Sequence, residues 1–581
     1  MYDEAISFIK NNHNSQHHTM RSLIILLSLL ILISCEPPAP EKPQATRGHL
    51  TERIIPKEKV TSPIDAGMSA KLVVIIVIDQ WSYNLFEQYQ PYYQYGFKRL
   101  WEEGVVYTQA LQDHAATYTG PGHSVIATGV YPNKTGIVGN EFYVHGLERE
   151  FYCVEDPSVD IINGGIKKNY AYGVSPIHLK AKTLGELLKQ RYPASQSFSI
   201  SGKDRSAVLM AGTDSDGVFW YDKKTGGFSS STYYTKALPS FMKDFNQQQP
   251  INNYLNSEWL KSNQQLDYKK ITREDSFIGE DEKLDFPHPL KPKNGKANSW
   301  FYDKFRDTPF FDEYTLLATK QLIDSQHLGE NQTPDLLTLS LSATDYIGHN
   351  WGPYSQEMFD NLIRLDKNLG EFMEYLEQRV GKDQLLMVFT SDHGVAPLPE
   401  HQTQKGKEAK RVTLLELTYS VKRVLDELQK EWQLDEPVVA FKSGTYPFYH
   451  KDLTEEQKDS VLARLKEIDF IEEVVDYTRL DKMQNASLRQ DFSRINYRGH
   501  VADLGFVFKE GYLVNLTSGT THGSVHWYDK HVPIVFMGKA FSAQKHPQAV
   551  STVDIAPTLA RLLNINYQDF DGRDLLQNNA E

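Results

Sequence analysis

The chain has 581 residues, 40% hydrophobic and 24% charged, with a formal net charge of −13. That is enough length for a large core and more than one structural unit, with the composition of a soluble globular protein. The negative charge argues against a general nucleic-acid binder, which relies on a basic surface, so any anionic substrate must be attracted locally, by bound metal or a few Lys and Arg.

After Met20-Arg21 comes SLIILLSLLILISC, ending at Cys35. Its apolar stretch of about a dozen residues falls short of the roughly 20 that a spanning helix needs. Residues 20–35 are expected to be a secretory signal, and LISC resembles a bacterial lipoprotein cleavage site with Cys35 as the lipidated residue. An uncleaved anchor helix is the alternative. Residues 1–19 then form a misassigned upstream start. The Pro-rich, polar residues 36–70 predict a tether, which places the folded part in the periplasm or cell envelope, held to a membrane by lipid. Only Cys153 remains beyond it, so the folded part has neither an intramolecular disulfide nor a thiolate zinc cluster. A metal site must be built from His and carboxylates.

Globular order is expected from about residue 71. KLVVIIVID (71–79) is a continuous apolar, β-branched run, the pattern of a strand buried on both faces of a parallel sheet. DLLTLSLSATD (335–345) and QLLMVFTSDHG (384–394) repeat it, and HVPIVFMG (531–538) is a fourth such run. Helical patterns lie between them, as in HLKAKTLGELLKQRY and FDNLIRLDKNLGEFMEYLEQRV. The alternation predicts an α/β doubly wound, mostly parallel sheet. The core is expected over residues 71–399 and 511–581. A polar insertion over about 215–300 and a second segment over 400–510, without a buried parallel strand, are expected to be insertions or a cap over the sheet edge.

In such sheets ligands gather at the carboxyl ends of the strands. Those ends carry Asp79, Asp345 and Asp392. Asp345 and His349 are four residues apart, which puts a carboxylate and an imidazole on one side of a helix. His393 follows Asp392 directly. Carboxylate oxygen with imidazole nitrogen is a zinc-compatible set. An Asp at a strand end is as often a helix cap, and each pair alone is a weak signal; the recurrence at three strand ends is what points to metal.

ATYTGPGHSVIATG (116–129) holds two threonines before a Gly-Pro-Gly turn. A hydroxyl is almost fully protonated at neutral pH, and metal coordination would stabilise its alkoxide. The turn lets a helix begin at once, so that its free N–H groups face an anion.

Together the pieces VIDQ, TYTGPGHSVIATGVYPNKTGIVGNEF, GKDR, TDYIGH, SDHG, GTTHGS and DIAPTLARLL resemble the alkaline phosphatase superfamily. The resemblance is to its single-chain phosphate monoesterases, close to the nucleotide pyrophosphatase/phosphodiesterases, and it spans residues 72–571. It implies two zinc ions, one held by Asp345, His349 and His522, the other by Asp79, Asp392 and His393 with Thr119 as a further ligand. It implies Thr119 as the nucleophile, forming a phosphothreonine that water then hydrolyses, with Thr117 structural, capping the turn. Asn140 would bond a phosphoryl oxygen. Lys203 and Arg205, a K-x-R pair that alone would be a solvated surface feature, match the monoesterase branch. A monoester carries one more ionised oxygen than a diester, and such a pair can bind it. His123 is not a ligand in that family, and His526 and His531 are expected to be structural.

The expectation is therefore a zinc-dependent hydrolase of small phosphate monoesters, monomeric, most active on the alkaline side of neutral. A phosphodiesterase on the same scaffold is the main alternative. A sulfatase would need a Cys or Ser in a C/S-x-P-x-R context, and a phosphoglycerate-mutase-like enzyme a Ser nucleophile. A non-catalytic envelope lipoprotein would lack the metals.

Overall fold

The structure, a computed structural model, describes residues 70–162, 172–280, 285–443, 446–514 and 516–576. The signal, Cys35 and nearly all of the tether lie outside the described residues.

Ten strands form one sheet: β1 (Leu72–Ile78), β2 (Val105–Leu111), β3 (Ile161–Ile162), β4 (Ser197–Ser201), β5 (Gly217–Tyr221), β6 (Phe228–Ser231), β7 (Asp335–Leu341), β8 (Leu385–Thr390), β9 (Ile534–Gly538) and β10 (Gln544–Ser551). Their order across the sheet is β10-β2-β9-β8-β1-β7-β4-β5-β6-β3. The run β8-β1-β7-β4-β5 is parallel throughout.

Strand β1 shows why the sheet is covered on both faces. Leu72, Val74, Ile76 and Ile78 point into one apolar cluster and Val73, Ile75 and Val77 into another, as the twofold alternation of a strand requires. All seven are fully buried, and each such side chain contributes roughly 1.5–3 kcal/mol of transfer free energy. Leu362, Leu365, Leu369 and Phe372 of the helix Gln356–Val380 cover the first face. The helices Leu184–Arg191 and Ile555–Leu562 cover the second with Leu187, Leu188, Ile555 and Leu559. Helices on both faces make the fold α/β doubly wound.

Two expectations are corrected. The fourth apolar run is a fully enclosed strand, β9, but it pairs antiparallel with both β8 and β2. Burial on two faces makes a strand apolar whichever way it runs, so the pattern carries no direction. The polar stretch expected from 215 begins inside the sheet: Gly217–Tyr221 is buried along its length and parallel to β4. Its GVFWY sequence is a core strand that the polar residues downstream obscured.

Residues 410–514 build a smaller unit. The helix Leu414–Glu431 packs Leu417, Val421 and Leu428 into a cluster with Val461, Leu465, Phe506 and Phe508, separate from the two sheet clusters. The strand Ile471–Asp476 pairs antiparallel with Leu504–Phe508.

Candidate active site

Four neighbouring strands deliver the site. β8 leads to Asp392 and His393, β1 to Asp79, β7 to Asp345 and β4 to Lys203, all at the carboxyl edge of the parallel run. Asp345 and His349 lie on the helix Ala343–Trp351 that follows β7, one turn apart. His522 arrives from a loop, tied down by Thr117: the Thr117 hydroxyl donates to the Ser524 carbonyl at 2.7 Å, and His522 Nδ1 bonds the Thr117 carbonyl at 2.8 Å. Thr117 thus fastens the opposite loop and does not cap the turn. The N-cap is Tyr118, which makes no side-chain cap.

Thr119, fully buried, is the first residue of the helix Thr119–Thr128. Gly122 lets that helix press against the end of β8, since a Cβ there would lie 2.3 Å from the Asp392 carbonyl oxygen. The glycine therefore serves packing against a candidate ligand loop, where an approach to an anion was expected. Nor is the Gly120 N–H free: it donates to Asn140 Oδ1 at 2.8 Å. That bond fixes the Asn140 amide so that its nitrogen remains available to donate. Arg205 Nη2 lies 3.2 Å from Thr119 Oγ1. Its guanidinium is steadied by Tyr152, whose hydroxyl donates to Asp204.

The six predicted metal-binding residues converge. His349 Nε2 lies 3.3 Å and His522 Nε2 3.7 Å from Asp345 Oδ1, while His393 Nε2 lies 3.3 Å from Asp392 Oδ2 and 3.6 Å from Asp79 Oδ1. Each imidazole points Nδ1 at a backbone carbonyl, of Thr520, Thr117 and Gly394 respectively. Donation from Nδ1 leaves Nε2 with its lone pair, the form that binds a cation. Burial, with His393 and His349 nearby, holds His522 well below the usual histidine range, and burial lowers His393 as well. The residues fit a metal: Asp79 Oδ1, Asp392 Oδ2 and His393 Nε2 are buried without a hydrogen-bond partner, a cost that a bound cation would remove.

The two expected sets are not cleanly separated. By distance, Asp345, His393 and His522 form one group and Asp79, His123 and Asp392 another. His393 and His522 stack at 3.5 Å, so His393 lies between the sets. Lys203 Nζ draws them together, 2.7 Å from Asp79 Oδ2 and 2.6 Å from Asp345 Oδ2. Burial works against this ammonium, but the two carboxylates prevail and push it up to about 12. Of the K-x-R pair, Arg205 meets the Thr119 hydroxyl while Lys203 is engaged by carboxylates. His123 has both nitrogens occupied, by the Thr119 carbonyl at 2.8 Å and Ser340 Oγ at 2.9 Å; its Nδ1 also stands 3.2 Å from Asp392 Oδ2. His526 and His531 bond the carbonyls of Phe508 and Thr108.

One residue escaped the sequence analysis. Gln80 is fully buried with φ +69°. Its backbone N–H donates to Asp392 Oδ1 at 3.2 Å and its side-chain nitrogen to Asp345 Oδ1 at 2.9 Å. It therefore braces one carboxylate of each expected set. A second polar residue beyond the end of a buried strand was the available signal, but nothing in the spacing named its partners.

This edge of a doubly wound sheet, with clustered Asp and His at its strand ends and a buried Thr at a helix start against an Arg, defines a class of hydrolytic enzymes. The family model described as type I phosphodiesterase / nucleotide pyrophosphatase matches residues 73–531, and the chain belongs to that family. It is 33% identical over 512 residues to alkaline phosphatase PhoV of Synechococcus elongatus, covering 85% of this chain and 90% of that one. It is also 32% identical over 547 residues to a Myroides odoratus protein named a calcium-transporting ATPase, covering 88% and 94%. Among the described residues no helix is long and apolar enough to cross a membrane. The crystal structure of alkaline phosphatase PafA superposes with a TM-score of 0.78 at 28% identity, over 88% of this chain and 99% of that one. Within the family, the chain is an enzyme of the alkaline phosphatase branch.

Proposed function

We propose that the protein is a zinc-dependent alkaline phosphatase that hydrolyses phosphate monoesters through a phosphothreonine on Thr119. The contact between Arg205 and the Thr119 hydroxyl carries the reading, because it sets a fixed cation beside the attacking oxygen. Two zinc ions, held by Asp345, His349 and His522 and by Asp79, Asp392 and His393, would supply Lewis-acid stabilisation of charge on oxygen.

The chain's own residues do the rest. Arg205 binds a non-bridging phosphoryl oxygen and holds phosphorus in line with Thr119 Oγ1. Asn140, fixed by the Gly120 N–H, donates its amide to a second oxygen. Lys203 stands at ion-pair distance from Asp79 and Asp345; with those carboxylates holding metal, its ammonium would be available for the remaining charge of a monoester. The Thr119 Oγ–P bond forms as the ester P–O bond breaks, and the proton that Thr119 Oγ gives up leaves, through solvent, on the departing alcohol. Water then attacks phosphorus, the Oγ–P bond breaks, and inorganic phosphate departs.

The test is acid quenching with a labelled monoester. Label should remain on the wild-type chain at Thr119 and be absent from Thr119→Ala, and chelation should remove activity that zinc restores. Activity that survives exhaustive chelation, or equal labelling of Thr119→Ala, rejects the reading. We further propose, on the Cys35 pattern, a lipid-anchored envelope location; labelled palmitate incorporated by wild type and lost in Cys35→Ser would support it.

A further inference from the structure

An apolar crevice of about 70 Å³ lies between the sheet domain and the 410–514 unit. Two of its walls adjoin the site in sequence: Tyr118 precedes Thr119 and Glu141 follows Asn140. They adjoin it in space as well. The Tyr118 ring meets the His522 imidazole edge-on, with centroids 5.7 Å apart. It is wedged there by Gly523 (φ +110°), where a Cβ would lie 2.3 Å from the ring. The Glu141 carboxyl, at the exposed rim, lies within reach of the charge of Arg205, the residue that touches Thr119. The outer wall comes from the smaller unit, through Phe506, Ile495 and Ala502.

We propose that this crevice holds the alkyl end of the substrate alcohol, and that the 410–514 segment contributes its outer wall. The inference rests on the monoesterase reading and names its substrate class: phosphate monoesters of short aliphatic alcohols. The place of the crevice argues for this occupant, because a group bonded to a phosphorus beside Thr119 and passing His522 meets Tyr118 next. Its size sets the length. A cavity that encloses benzene measures roughly 150 Å³, and a water takes about 30 Å³. About 70 Å³ therefore admits a chain of a few carbons and not an aromatic ring. The walls other than Glu141 and His500 offer mostly carbon, so recognition is by burial of methylenes.

The experiment compares kcat/KM for methyl, ethyl, propyl, butyl and pentyl phosphate on the zinc-loaded full chain. The expected result is a rise of about fourfold per buried methylene, levelling beyond propyl. The leaving tendencies of the longer alcohols are nearly equal, so the ratios report burial. Ala502→Leu, which fills the crevice, should bring the propyl-to-methyl ratio close to one. Ile495→Ala, which enlarges it, should move the plateau to longer chains. A series flat with chain length, or one that neither variant alters, overturns the crevice assignment and leaves the monoesterase reading standing. Failure to hydrolyse any of the esters, methyl phosphate included, overturns both.

Discussion

Arg205 Nη2 and Thr119 Oγ1, 86 residues apart in the chain, sit 3.2 Å from one another. The helix Asp204–Ala211 starts beside the helix that begins at Thr119, which places a permanent cation where the phosphoryl group of the proposed reaction would lie. A charge-assisted hydrogen bond contributes about 1.5–3 kcal/mol. Arg205→Ala should therefore lower kcat/KM for p-nitrophenyl phosphate by about 10- to 150-fold and affect bis-p-nitrophenyl phosphate less, as initial rates on the two esters will show. A strong diester preference that persists in Lys203→Ala/Arg205→Ala would favour the phosphodiesterase alternative.

Lys203 compensates two buried carboxylates. Removing one partner of a buried ion pair destabilises by about 3–5 kcal/mol. Metal-free Lys203→Ala should accordingly unfold at lower temperature than the metal-free wild type, with zinc recovering most of the difference. Calorimetry with and without zinc measures both, and an unchanged metal-free melting temperature would remove Lys203 from this role.

Gln80 bonds one carboxylate of each candidate ligand set without belonging to either. Gln80→Gly relieves the left-handed backbone, which favours glycine, yet loses the bond to Asp345. Loss of such an outer partner weakens metal binding by about 10- to 100-fold. The expected result is a variant at least as resistant to urea as wild type but weaker in zinc affinity, read by competition with a chelating dye.

Gly122→Ala puts a methyl 2.3 Å from the Asp392 carbonyl oxygen. Overpacking of this kind costs about 1–3 kcal/mol, and urea unfolding should show a loss in that range.

A pH dependence follows from the segment behind the helix Ala343–Trp351. Arg273 donates to the Trp351 carbonyl and pairs with Glu280 at 2.8 Å. Burial pushes Glu280 up to about 8, against the pull of Arg273, and burial lowers Arg273 as well. A carboxyl raised in the folded state stabilises fully below its unfolded value. That contribution is lost as the pH rises from the ordinary glutamate range through about 8. Stability of Glu280→Gln relative to wild type should thus climb between pH 5 and pH 9, by at most about 1.4 kcal/mol per pH unit. Urea titrations at pH 5, 7 and 9 check the slope, and a constant difference would show that Glu280 is ionised throughout.

Much of this site was legible before any coordinates. Asp79, Asp345 and Asp392 announce themselves because a buried parallel strand is a continuous apolar run, and a charge that ends it stands at the sheet edge. Asp345 and His349 are legible because one helical turn is a local distance. What is local in the chain is set by covalent geometry and periodicity, and the sequence by itself determined the α/β class and the strand ends.

The tertiary structure decided what depends on strand order and on contacts between distant segments. The antiparallel direction of β9 needed its neighbours, since burial looks the same in either direction. The roles of Thr117 and Gly122 needed the His522 loop and the end of β8, which lie hundreds of residues away. Lys203 and Arg205 are two positions apart, yet one pairs with buried carboxylates and the other with the Thr119 hydroxyl. Gln80 reaches Asp345 and Asp392 only because β7 and β8 flank β1. Groups 265 and 312 residues apart meet through packing, which no local pattern in the sequence encodes.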